Sequence, residues 1–74
     1  MTAERFARAF AFAETIREYG GRLSLSEHGE VICDVRDMPF VDAFGEAALR
    51  CVFHQMHDDL AEVLRHERQD AAPH

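Results

Sequence analysis

The chain has 74 residues, with 14 Asp and Glu against 8 Arg, no Lys, and a formal net charge of −6. A chain this short makes one small domain that buries only roughly 60% of its unfolded surface, and its two cysteines are too few for a secreted disulfide scaffold. The acidic balance disfavours direct binding of nucleic acid, which would forfeit counterion release, and the longest nearly apolar stretch, Ala9 to Ala13, is far below the ~20 residues of a membrane span.

The first predicted element is a helix over about 2–19, with Thr2 as its N-cap. Phe6, Phe10 and Ala13 share one side, and Phe12, Ile16 and Tyr19 recur beside them at helical spacing. That broad stripe is expected to be core. Gly20-Gly21 is expected to end the helix, because glycine enters the left-handed C′ conformation without a Cβ clash.

A β-hairpin follows over about 22–35. A two-residue loop at His28-Gly29 would set Leu25 opposite Ile32 and mix the two faces. A three-residue loop, Glu27-His28-Gly29, pairs Leu25 with Val31 and Leu23 with Cys33, and puts Gly29 at the left-handed loop position. It also sets Arg22 across from Asp34 as an opposite-charge pair. One face then buries Leu23, Leu25, Val31, Cys33 and Val35; Ser24, Ser26, Glu30, Ile32 and Asp34 face water.

Asp37 is read as the cap of a helical turn entered through Met38-Pro39, over about 38–44. From about 46 to 68 the apolar residues Ala48, Leu49, Val52, Phe53, Met56, Leu60, Val63 and Leu64 occupy one sector of a single long helix. Residues 69–74 are expected to fray. The fold class is α+β with the order α-β-β-α, two amphipathic helices packed on one face of an antiparallel hairpin. Such a hairpin is not stable alone in water and needs the helices. Both a monomer and a homodimer fit a core of this size.

The charge is concentrated. Glu27, Glu30, Asp34, Asp37, Asp42 and Glu46 are offset within residues 27–46 only by Arg36, a net of −5. A one-sign field of this density favours an electropositive protein partner. Residues two apart on a strand face are about 7 Å apart, comparable to twice the ~3.4 Å phosphate advance of a nucleic-acid strand. A carboxylate ribbon therefore matches an Arg-lined groove built for DNA or RNA.

A second group, Cys51, His54 and His57, has residue types that bind zinc at i, i+3 spacing. On a straight helix Cys51 and His57 diverge by about 120°, and a solvated polar face is the plainer reading. Cys51 or Cys33 beside a histidine could also suggest a nucleophile, yet no third orienting group or oxyanion hole is evident. No catalytic motif and no phosphate-cradling loop is present. The expectation is a protein that is not an enzyme and needs no cofactor. With no basic region leading into an apolar run, no signal peptide is expected. Arg without Lys or Asn resembles the codon bias of GC-rich bacteria and their phages, so a bacterial cytoplasm is the expected compartment.

Two resemblances follow from these residues. The short, acidic, Lys-free α/β plan with its six carboxylates resembles the anti-CRISPR inhibitors of phages and mobile elements. That likeness implies blockade of a nucleic-acid-binding surface on a Cas or other nuclease subunit. The segment from Tyr19 through Gly20, Gly21 and the hairpin to Val35 resembles the helix-then-hairpin of small docking domains in peptide and polyketide assembly lines, in which an exposed hairpin binds a partner's short linear segment; the likeness covers roughly residues 10–35. It implies an adaptor working through the hairpin edge and Ile32. A zinc-binding regulator using Cys51, His54 and His57 is the third reading.

Overall fold

A computed structural model describes residues 1–39 and 42–71. The order is α1 (Ala3–Glu18), β1 (Arg22–Leu25), β2 (Val31–Asp34), α2 (Ala43–Gln55) and α3 (His57–Ala71), an α-β-β-α-α arrangement of the α+β class. Thr2 caps α1: its hydroxyl oxygen accepts a hydrogen bond from the Arg5 N–H at 3.2 Å. Glu4 in the first turn and Arg17 in the last suit the helix dipole. The helix ends in a Schellman motif. Gly20 sits at φ +94°, its N–H donates to Arg17 O, and the Gly21 N–H donates to Ile16 O at 2.8 Å.

The hairpin has the expected register, with Arg22 opposite Asp34, Leu23 opposite Cys33, Ser24 opposite Ile32 and Leu25 opposite Val31. Gly29 takes φ +81° in the three-residue loop. The Ser26 hydroxyl adds a device of its own, accepting from both the His28 and the Glu30 N–H. The expected opposite charges do face each other across the strands, and, behind the Arg36 hydrogen bonds, the Arg22 charge helps to lower the Asp34 pKa, though the direct ion pairs lie elsewhere. Asp34 opposes Arg22 in register but is held by Arg36, and Arg22 lies 3.8 Å from Asp37 instead.

The second half differs from the single helix expected over 46–68. Asp42 caps α2, accepting from the Gly45 N–H at 2.7 Å, and the helix opens at Ala43 rather than at about 46. The helical run then breaks at Met56, whose φ of −105° and ψ of 9° leave the α region. Asp58 and Asp59 supply negative charge to the first turn of the new helix. The expected turn over 38–44 falls partly on residues 40 and 41, outside the described residues; α3 runs to Ala71, beyond the expected end.

Two bidentate pairs tie α1 to α3: Arg5 with Asp59 (2.8 and 3.2 Å) and Arg17 with Glu67 (2.8 and 3.1 Å). One pair joins the N-terminal turns of the two helices and the other joins their later turns, while Phe6 packs edge-on to His66 at 5.1 Å between ring centroids. Between the pairs the core is built on small side chains. Ala9 and Ala13 are fully buried with Leu60 and Val63, and Phe53, Val31 and Leu64 close around them. The large rings of α1 are displaced outward: Phe6 and Phe12 are half-buried at the flanks, and Phe10 and Tyr19 are exposed. A smaller buried group, Ile16, Val35 and Met38, anchors the chain as it leaves β2.

Candidate functional site at the outer edge of β2

Hairpin geometry decides which backbone groups are free. The Ser26 N–H donates to Glu30 O at 2.8 Å. Bonded pairs alternate along an antiparallel ladder, so Ser24–Ile32 and Arg22–Asp34 are the next bonded pairs. The N–H and C=O of Val31 and Cys33 therefore point away from β1. The Val31 N–H donates to His57 Nε2 at 3.0 Å, and Val35 O accepts from the Met38 N–H. Cys33's outward N–H and C=O meet no partner among the described residues.

Along this edge runs a groove of about 460 Å³, lined by Ile32, Asp34 and Arg36 from the strand and its exit, and by Glu46 and Arg50 of α2. Ile32 is 52% exposed. The groove's charges cancel in pairs, Asp34 with Arg36 at 2.7 Å and Glu46 with Arg50 at 3.0 Å. Hydrogen bonds from the Arg36 guanidinium, then from its backbone N–H, hold the Asp34 carboxyl down to about 2. Because that value lies below the ordinary carboxylate range, the clamp stabilises the fold at neutral pH. Its contribution fades as pH falls from about 4 toward 2. A carbon-13 titration of the Asp34 carboxyl is expected to show a midpoint near 2; one at the ordinary Asp value of about 3.9 would refute the clamp.

The six carboxylates do not form one belt. Asp34, Asp37 and Glu46 each face a guanidinium of the protein itself, and Asp42 is spent on the α2 cap. Glu27 and Glu30 remain at the hairpin tip. Among the described residues Glu27 pairs with His28 alone, at 3.8 Å, and Glu30 is exposed. Both groove pairs had local signals: Asp34 and Arg36 are same-face neighbours on an extended chain, and Glu46 and Arg50 are i, i+4 on a helix.

Cys51, His54 and His57 are not brought together. Cys51 and His54 are exposed on α2, whereas His57 opens α3 beyond the break. Both His57 ring nitrogens are occupied, Nε2 by the Val31 N–H and Nδ1 by Asp58 at 3.2 Å. Among the described residues no group of three His, Cys, Asp or Glu is arranged to hold a metal ion. Cys33 lines the groove, and burial pushes its thiol up, which reduces the thiolate needed for nucleophilic attack. No described helix is long and apolar enough to cross a membrane. No family model, curated protein or solved structure matches the chain, so function is argued from its own residues.

Proposed function

We propose that this domain is a non-enzymatic docking module that captures a short extended peptide by adding it as a third strand along the outer edge of β2. The observation that carries the reading is the outward backbone of Cys33, unpartnered among the described residues and facing a groove. Strand addition takes its affinity from such main-chain groups and its selectivity from side chains at alternate positions. Ile32 supplies an exposed apolar contact, and the self-neutralised walls of the groove leave little net field. The likeness of residues 10–35 to the helix-then-hairpin of assembly-line docking domains points the same way.

Cys33→Pro is the discriminating variant. It removes an N–H that bonds nothing in the hairpin, and proline is tolerated on edge strands. A peptide selected from a displayed library of extended heptamers is expected to lose about tenfold or more in affinity for the variant, through one lost bond and the ring's bulk. Circular dichroism should be unchanged. Binding should also persist at about 1 M salt, where screening acts over ~3 Å. Equal affinity for Cys33→Pro would reject strand addition.

A second reading has one observation in its favour. Glu27 and Glu30 stand at the hairpin tip without a guanidinium partner among the described residues, as an anti-CRISPR-like inhibitor of a basic nuclease surface would require. It predicts the opposite salt response, steep weakening as salt rises, and loss of inhibition in a Glu27→Gln, Glu30→Gln double variant.

A further inference from the structure

We infer that His57 is the positioning residue of this edge, a stop that closes the loop end of β2 to pairing and so sets where a docked segment ends; this rests on the docking reading. A strand bonded to Cys33 would next reach Val31 on one side and Val35 on the other, two residues either way. At Val31 the donor is already taken by His57 Nε2 at 3.0 Å. The ring is fixed in that role. Accepting at Nε2 requires the tautomer with its proton on Nδ1, and Nδ1 faces Asp58 Oδ1 at 3.2 Å. The Phe53 ring packs edge-on to it at 5.9 Å between centroids.

The break at Met56 is what makes the contact. It starts α3 at His57, so the side chain projects from a helix N-terminus onto the strand edge. The partner segment is thereby confined to the stretch from Cys33 toward Val35, beside the N-terminal half of α2, where Glu46 and Arg50 line the groove. An unguarded edge invites pairing with any chain; here one donor nearest the loop is withdrawn and the next is left available.

The test uses the full chain, two variants and a defined probe, the blocked pentapeptide Val-Thr-Val-Thr-Val, followed by nitrogen-15 amide spectra. His57→Phe keeps a ring against Phe53 and removes the acceptor; His57→Gln keeps a side-chain acceptor. In the free protein, Val31 amide exchange is expected to quicken roughly three- to tenfold in His57→Phe, the worth of one hydrogen bond, and to recover in His57→Gln. With the probe, the wild-type amides of Cys33 and Val35 should shift while Val31 stays in place, and in His57→Phe Val31 should shift as well.

Val31 exchange that ignores both substitutions overturns the stop. So does a wild-type Val31 amide that responds to the probe as strongly as Cys33. A probe that moves no β2 amide in any form, with Val31 protection still dependent on His57, overturns the docking reading and removes the stop's function with it.

Discussion

Leu60→Ala is expected to cost about 2–5 kcal/mol, the range for emptying a fully buried leucine site. Leu60 is 0% exposed, on the helix that packs against α1 and both strands. A 74-residue domain holds a total of roughly 4–11 kcal/mol, from 0.05–0.15 kcal/mol per residue. One substitution would therefore remove between about a fifth of the stability and all of it. Phe10→Ala is the control. Phe10 is larger, and its position on the apolar stripe of α1 marks it as core by pattern, yet it is 44% exposed and should cost about 1 kcal/mol or less. Urea denaturation monitored by circular dichroism separates the two. A midpoint that moves further for Phe10→Ala than for Leu60→Ala would refute this core.

That contrast locates what periodicity can and cannot reveal. The stripe of α1 spans nearly half the circumference, and the pattern alone does not say which part is central. Close approach of α1 and α3 puts the contact line on Ala9 and Ala13, where Phe would hold the helices apart. The hairpin was legible to the residue because a wrong loop length moves every side chain to the wrong face. The end of α1 was legible because two glycines mark it.

The break at Met56 left no such mark. His57 follows without Gly or Pro, and Phe53, Leu60, Ala61 and Leu64 fall in one sector of a continuous helix. What favours the break is tertiary: it lets Phe53 reach the core while His57 reaches the edge of β2. The start of α2 at Ala43, with Asp42 as its cap, was hidden for a related reason. Asp37 and Asp42 both have capping chemistry, and Asp37 lies inside a turn closed by the Met38 N–H to Val35 O bond.

The acidic segment illustrates the difference between counting charge and placing it. Net −5 over residues 27–46 is a property of composition. In the fold Arg22 and Arg50, which lie outside that segment, come back to Asp37 and Glu46. Charge pairs this exposed contribute little to stability, typically 0–1 kcal/mol each. Their effect on recognition is larger. Under the proposed docking they would flatten the field along the groove, so that a neutral extended segment could enter where a continuous acidic ribbon would have selected cations.

Gly21→Ala is expected to cost about 1–3 kcal/mol, the range for forcing extra volume into a packed site. An added Cβ would stand 2.5 Å from Ile16 Cγ2, 3.0 Å from Ile16 O and 3.1 Å from Met38 Sδ. Ile16 is 1% exposed and Met38 8%, so neither has open space to yield into. Gly20 differs. Its φ of +94° adds a conformational constraint to a close approach, an added Cβ standing 3.1 Å from Asp37 O, and Asn enters the left-handed region more readily than a β-branched residue. Gly20→Asn should therefore cost less than Gly20→Val, whereas at Gly21 cost should follow side-chain volume. Thermal melts of the four variants Gly20→Asn, Gly20→Val, Gly21→Ala and Gly21→Val test the distinction. If Gly21→Ala melts with the wild type, Ile16 and Met38 do not crowd this turn, and the anchoring of the chain beyond β2, on which the groove's shape depends, is wrong.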